Sequence, residues 1–188
     1  METVAKKAVN ELNGVDLDVL METVGAIRED RELGVARFRA SNTWIGGNQN
    51  RSEVTGFYGA KQEIAHAQRF TMDADEPPIL AGSDEAPNPV EHLLHALASC
   101  LTTSMVAHAA VRGIPIEELE SELEGDSDLN GFLGLDPETP KGYTEIRVKF
   151  RVKADPEDVD KIRSLAEFSP VFSTITKGAD VAVSVDLK

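Results

Sequence analysis

The stretch of sequence that decides the fold is PNPVEHLLHALASCLTTSMVAHAAVRG, residues 87–113. Asn88 followed by Pro89 is typical of a helix start, because Asn caps the first turn and Pro suits the first helical position. From residue 93 to residue 111 there is no Asp, Glu, Lys or Arg, and Gly113 ends the run. The pattern predicts one long helix that is apolar on all sides and buried.

An uncharged run of this length also has to be considered as a membrane span. The window holds two His, two Ser and two Thr, however, and these residues argue against a helix in lipid. The better interpretation is a core helix packed between a sheet on one side and a partner surface on the other. A single chain of 188 residues with a small sheet cannot cover such a helix all round, so the sequence predicts a homodimer and no membrane partner.

The segments around this helix carry strand and helix signals. Residues 33–75 are rich in β-formers and turn residues, which predicts a small antiparallel sheet with a glycine-bearing loop at 44–51. Downstream, residues 146–152 alternate apolar and charged side chains and predict a half-buried strand. Residues 118–124 fit either a helix or a strand.

Proline positions indicate two helices near the carboxyl end, and a strand closes the chain. Pro156 opens the first helix, which continues to Phe168, and Ser169-Pro170 starts the second. Val181, Val183 and Val185 alternate as in a strand. This order of elements is typical of an α+β domain, with small antiparallel sheets around a long buried central helix.

The first thirty residues have apolar positions at helical spacing, interrupted at Asn13-Gly14. They predict a pair of helices appended to the main domain. The apolar core of a signal peptide is absent from this stretch, so we expect a cytoplasmic protein.

The composition excludes several classes of function. Acidic residues outnumber basic ones by 33 to 19, the net charge is −14 and the pI is about 4.7. Such a protein repels nucleic acid and anionic lipid surfaces. His92 and His95 are spaced as a metal pair could be, but no third ligand follows at a suitable spacing, and no nucleotide-binding motif is present. We expect neither a metal nor a cofactor.

Cys100 is the single cysteine, so an intrachain disulfide and a cysteine-based zinc site are both excluded. Two interpretations stay open. In the first, Cys100 is a small core residue of an apolar helix. In the second, it is a reactive thiol, which needs a nearby cation to stabilise the thiolate. The same helix offers no charged residue within two turns, but Arg51 in the 44–51 loop is a candidate.

Residues 87–94 (PNPVEHLL) followed by Ala96-Leu97-Ala98-Ser99-Cys100 resemble the central helix of the OsmC/Ohr superfamily, whose AxxxC stretch carries a peroxidatic cysteine. The similarity continues through residues 118–128, 131–134 and 143–152. It ends with Ser169-Pro170-Val171-Phe172-Ser173, which resembles the family's CPxS helix start. The resemblance covers residues 33–188 as an OsmC-like domain, leaves residues 1–32 as an N-terminal helical extension, and implies a strand at 118–124.

The resemblance implies an intertwined homodimer that reduces organic hydroperoxides. In the family, a thiolate attacks the peroxide, becomes a sulfenic acid and is resolved by a second cysteine. Cys100 matches the first cysteine, and Ser169 stands where the resolving cysteine would be. Arg51 is the best match to the family's active-site arginine. The family's glutamate aligns with Val90, one residue before Glu91, and a one-residue shift turns a helical side chain by about 100°.

Three functions therefore remain as hypotheses. The first is a one-cysteine peroxidase with Cys100, Arg51 and Glu91 at its site, recycled by an external thiol reductant in oxidative-stress defence. The second is a non-catalytic dimer whose interface pocket binds a small apolar or sulfur-containing ligand. The third is a structural or regulatory dimer in which Cys100 only packs. The position of the arginine distinguishes the first hypothesis from the others.

Overall fold

A computed structural model describes residues 10–188 of the chain. These residues form two compact units. The first holds residues 10–11 and Asp16–Leu93, and the second holds Leu12–Val15 and Leu94–Lys188. The helix predicted through Val4 and Ala8 lies outside the described residues.

The described chain begins with a short hairpin and a helix. Strands β1 (Glu11–Leu12) and β2 (Val15–Asp16) are joined by Asn13-Gly14, with φ of 54° and 76°, and helix α1 (Leu17–Glu29) follows. The prediction that Asn13-Gly14 separates two helices is therefore wrong. An Asn-Gly pair adopts positive φ readily at both positions, which is the geometry of a tight hairpin turn.

The first unit contains a four-stranded antiparallel sheet. Its strands are β3 (Arg37–Phe38), β4 (Ser41–Gly46), β5 (Gln49–Gly59) and β6 (Gln62–Ala74). Strand β5 pairs with β3 and β4 along one edge and with β6 along the other. The predicted loop at 44–51 is replaced by a tight turn at Gly47-Asn48, so Arg51 lies within β5, opposite Thr43 and Asp73.

Helix α2 (Pro89–Val111) confirms the predicted central helix. Gly113, with φ of 69°, follows its end. Its length and apolar composition would allow a membrane span, but it is the core helix of this fold. One chain buries only a single stripe of it, formed by Leu97, Leu101, Met105, Ala109 and Ala110.

The second unit packs a two-stranded sheet and short helices around the end of α2. The elements are β7 (Glu118–Asp126), α3 (Leu129–Phe132), β8 (Glu145–Lys153), α4 (Val159–Ser164) and α5 (Pro170–Lys177). The strand implied at 118–124 is present as part of β7. The core of the unit consists of Met105, Ala109, Ile114, Ile162 and Leu165.

The acidic stretch of β7 faces outward, against the basic residues of β8. Arg147 pairs with Glu124 and Asp126, and Arg151 pairs with Glu120 and Glu122. Much of the negative charge after residue 113 is therefore neutralised across the two strands, on a surface that faces solvent.

The strand predicted at residues 181–185 does not form. No residue after Lys177 belongs to a helix or strand, and Val181, Val183, Val185 and Leu187 are 84, 84, 90 and 103% exposed. A strand needs a neighbouring strand for its backbone N–H and C=O groups. The described chain provides no such neighbour for this segment. The α+β class, with small antiparallel sheets and a long central helix, is nevertheless confirmed.

Candidate functional site

Cys100 lies in the middle of α2, in the second unit, as a free thiol. Its neighbour Leu101 is 3% exposed, and Leu97, one turn earlier, is also 3% exposed, whereas Cys100 itself is only half-buried. The cysteine therefore borders the buried stripe of the helix and does not lie in the middle of it. A side chain in this position can pack on one side and still be reached by a small molecule on the other.

Arg51 lies on β5, in the first unit, and forms a two-pronged ion pair with Asp73 of β6. Its Nε and Nη2 donate to the two carboxylate oxygens at 2.6 and 2.8 Å. These hydrogen bonds between the two side chains lower the pKa of Asp73 and raise the pKa of Arg51. The two side chains border a cavity of about 320 Å³ that Gln49, Asp75 and Glu85 also line.

Asp75 is the buried carboxylate of the first unit, at 1% exposure. It accepts hydrogen bonds from the backbone N–H groups of Glu76 at 2.8 Å, Ser83 at 3.1 Å and Glu85 at 3.2 Å, and from Gln49 at 3.4 Å. Burial raises its pKa, but these hydrogen bonds outweigh burial and the net pKa is lowered. Asp75 thus fastens the connector before α2 to the end of the sheet.

Glu91 caps the start of α2. Its carboxylate accepts from the backbone N–H of Asn88 at 2.8 Å, and its own N–H donates to the Asn88 side chain at 2.9 Å. This is a capping box, with Asn as the cap and Glu three residues later. The spacing was visible in the sequence, so the capping role could have been predicted for Glu91 beside the catalytic one.

His92 connects the helix start to the strand that holds the arginine. Its Nε2–H donates to the carbonyl oxygen of Asp73 at 2.9 Å, while the Asp73 side chain binds Arg51. Sequence analysis missed Asp73 as the partner of both Arg51 and His92. The pairing of β5 with β6 places Asp73 opposite Arg51, although the two residues are far apart in the chain.

Ser169 lies in the second unit, at 1% exposure, as the N-cap of α5. Its hydroxyl oxygen accepts from the backbone N–H of Phe172 at 3.2 Å. Serine is among the best N-cap residues, because its short side chain reaches this N–H group. Ser169, which the resemblance aligns with the resolving cysteine, therefore has a structural role as a helix cap.

The structure thus places the predicted site residues in two groups. Arg51 and Glu91 belong to the first unit, and Cys100 and Ser169 belong to the second. Within residues 10–188, no three His, Cys, Asp or Glu side chains are arranged to hold a metal ion.

A family model described as OsmC-like protein matches residues 82–184, more than half of the chain. This range contains Glu91, Cys100 and Ser169, and Arg51 precedes it. No curated protein matches the chain.

Several solved structures share the fold at low sequence identity. An OsmC-like protein from Mycoplasma pneumoniae is 17% identical, with a TM-score of 0.54 over 74% of this chain and 87% of that one. An organic hydroperoxide resistance protein OsmC from Legionella pneumophila is 19% identical, with a TM-score of 0.51 over 80% and 98%. An OsmC-like protein of unknown function from Vibrio cholerae is 14% identical, with a TM-score of 0.51 over 73% and 92%. At these identities the likeness concerns the fold.

Proposed function

The chain belongs to the OsmC-like protein family, and from that premise we propose that it is a one-cysteine thiol peroxidase that reduces organic hydroperoxides. Cys100 is the nucleophile, and an external thiol restores it after each turnover. The protein works as a cytoplasmic homodimer in oxidative-stress defence and needs no metal or cofactor.

The proposed reaction consumes one hydroperoxide and two thiols. The Cys100 thiolate attacks the outer oxygen of ROOH, the O–O bond breaks, and the alkoxide takes up a proton to leave as ROH. Cys100 is then a sulfenic acid. A first external thiol displaces water and forms a mixed disulfide, and a second thiol releases the external disulfide and returns Cys100 as a thiol.

The observation that carries the proposal is the position of Cys100. It is the one thiol of the chain, it lies on the family's central helix within the matched range, and it is half-buried beside an apolar stripe. Apolar surroundings with partial access suit an organic hydroperoxide, whose alkyl group is removed from water when it binds.

Arg51 is proposed as the group that stabilises the thiolate and the developing charge on the peroxide. A guanidinium favours the anionic form of a neighbouring thiol. Two hydrogen bonds to Asp73 hold the Arg51 guanidinium in one orientation and restrict its motion. Glu91 contributes by fixing the start of α2, and the backbone of the helix then sets the position of Cys100.

A second candidate function is a non-catalytic dimer that binds a small apolar or sulfur-containing ligand. The same ion pair supports it, because Asp73 already neutralises the guanidinium of Arg51. Glu91 is likewise occupied by its capping bonds. In this alternative Cys100 lines the ligand pocket and does not react.

Trapping of the sulfenic acid tests the proposal directly. The full-length protein is treated with cumene hydroperoxide in the presence of dimedone, and the intact mass is measured. We expect one adduct per chain, none in Cys100→Ser, and multiple turnovers when dithiothreitol is supplied. Absence of the adduct in folded wild-type protein, with the thiol still free, would favour the ligand-binding dimer.

A further inference from the structure

His92, in the first turn of α2, makes a hydrogen bond from this helix to the strand that carries Asp73. Its Nε2–H donates to the Asp73 carbonyl oxygen at 2.9 Å. A carbonyl oxygen only accepts, so the ring nitrogen at this contact carries the proton. Both residues belong to the first unit, and the bond therefore lies within one compact body.

Asp73 forms hydrogen bonds through its backbone to one residue and through its side chain to another. Its carboxylate oxygens accept from Arg51 Nε at 2.6 Å and from Arg51 Nη2 at 2.8 Å, while its carbonyl oxygen accepts from His92. Neither bond to the carboxylate uses the third guanidinium nitrogen, Nη1. A movement of the Asp73 backbone therefore moves the guanidinium of Arg51 with it.

The sheet by itself restrains this position only in part. Strand β6 ends at Ala74, one residue after Asp73, and in the described part of the chain β5 is its only neighbour in the sheet. Strand ends and free sheet edges have fewer backbone hydrogen bonds than the middle of a sheet, and they open more readily. A hydrogen bond from α2 to Asp73 restricts motion that the pairing of β5 with β6 leaves possible.

The start of α2 is held firmly enough to serve as the anchor of this bond. Asn88 and Glu91 bond each other reciprocally in the capping box, at 2.8 and 2.9 Å. His92 follows Glu91 directly, and its backbone N–H donates to the Asn88 carbonyl oxygen at 3.1 Å. The His92 side chain is half-buried, which limits the orientations that its ring can take.

We propose that His92 is a positioning residue for Arg51. It fixes the Asp73 backbone to the start of α2, and Asp73 in turn fixes the guanidinium. The inference rests on the proposed function, in which Arg51 stabilises the Cys100 thiolate. A guanidinium that is already oriented acts on the thiolate at once, so loss of its position lowers the rate even though the cation is still present. His92 itself takes no part in the bond-making steps.

Substitutions of His92 in the full-length protein test the proposal through the reaction of Cys100 with iodoacetamide. His92→Leu removes the N–H donor and should slow alkylation at neutral pH by about tenfold, the loss expected for one hydrogen bond. It should also move the pH profile of alkylation to higher pH, because a displaced guanidinium stabilises the thiolate less. His92→Gln keeps an N–H donor at a similar reach and should restore the wild-type rate and pH profile.

The matched control is His95→Leu. His95 lies about one turn further along the same helix, is exposed, and within residues 10–188 its side chain makes no hydrogen bond. The same loss of an imidazole should there leave the rate and the pH profile unchanged. Circular dichroism and the melting temperature show whether each variant is folded. If His92→Leu does not fold, His92→Phe, which keeps a ring without the donor, replaces it. A folded His92→Gln variant as slow as Arg51→Ala would overturn the proposal.

A double substitution separates this inference from the function on which it rests. If His92 acts through Arg51, His92→Leu should have no further effect on alkylation in an Arg51→Ala background. Additive effects would mean that His92 acts by another route, and they would overturn the proposal. A wild-type rate in His92→Leu beside a slow Arg51→Ala would overturn the positioning role alone. A wild-type rate in Arg51→Ala would overturn the role of the arginine as well.

Discussion

The buried Ser169 hydroxyl has a structural role at the start of α5. It accepts a hydrogen bond from the N–H of Phe172 and begins α5, at the position where the resemblance to the family implies a resolving cysteine. A thiol is a weaker acceptor than a hydroxyl, so serine is the better cap at this position.

Two substitutions of Ser169 separate these roles. Ser169→Ala removes the cap and should cost about 1 kcal/mol of unfolding free energy, measured by urea denaturation, without changing the sulfenic acid yield. Ser169→Cys should allow a disulfide with Cys100 after hydroperoxide treatment, with release of water, detected as the loss of both free thiols. Wild-type protein has one thiol and should form no intrachain disulfide. If the disulfide never forms in folded Ser169→Cys, the alignment of Ser169 with the resolving cysteine is wrong.

The role of Arg51 is tested by the rate at which Cys100 reacts. If the guanidinium stabilises the thiolate, Arg51→Ala should slow both alkylation by iodoacetamide at neutral pH and oxidation by organic hydroperoxide, by roughly a hundredfold. Arg69→Ala is the matched control, because Arg69 is an exposed arginine of the same sheet with its own carboxylate partner, Glu53. Equal and slow labelling in wild type, Arg51→Ala and Arg69→Ala would contradict the peroxidase proposal.

At this scale, the sequence was informative about residues whose roles depend on near neighbours. The cap at Asn88 and the start of α5 at Ser169-Pro170 follow from adjacent residues and were predicted. Asp73 was not, because its bond to Arg51 depends on the register of β5 with β6, and a single sequence does not define that register. The roles of Cys100, Arg51 and Glu91 remain proposals.

Among the elements, the end of α2 is joined to the segment before α5 by a stack of rings. His108 stacks on Phe168 with ring centroids 4.1 Å apart, and Arg112 donates to His108 Nδ1 at 3.1 Å and lies over Phe168. Burial, and then the charge of Arg112, lower the pKa of His108. The folded state therefore prefers the neutral imidazole.

This preference predicts that stability declines as the pH is lowered from about 7 to below the ordinary histidine pKa. A lowered pKa stabilises the fold above the ordinary histidine pKa of about 6.5, and the contribution is lost as the pH falls through the folded-state value. We expect the melting temperature to fall by about a few degrees over this window, and His108→Phe, which keeps the ring stack, to remove the fall. His66→Phe is the control, because His66 also contacts aromatic rings, Phe57 and Phe70, but in the first unit. A slope that survives in His108→Phe would exclude His108 as its source.

Whole elements were predictable where their signals are local. The long helix, the strand at β8 and the two late helices all follow from periodicity and from proline positions. The strand expected at 181–185 has the right pattern but does not form, because a strand is completed by its neighbour. The loop expected around Arg51 does not form either. A two-residue turn joins β4 to β5, so Arg51 is already part of the paired strand β5.

For the whole molecule, we expect light scattering at micromolar concentration to give twice the 20.4 kDa mass of one chain. The reason is the amount of apolar surface that one chain leaves uncovered on α2 and at residues 181–187. Leu93 and Val111 of α2 are 39 and 44% exposed. A monomeric wild type at this concentration would contradict the dimer.

The α+β class and the family could be recognised from the sequence because one helix carries most of the signal. The organisation of the chain could not be derived in the same way. The boundary at residues 32 and 33 remains a prediction, and the two compact units are joined within α2, near Leu93, where the sequence has no break.

The partly uncovered helix α2 has a thermodynamic consequence for every measurement on this protein. If a second copy completes the core, unfolding separates two chains, and mass action makes the midpoint of thermal denaturation depend on protein concentration. Dilution should then lower the midpoint, and a value quoted without its concentration would have no fixed meaning. In a cell, the lifetime of a newly made chain would then depend on the concentration of other copies of the chain.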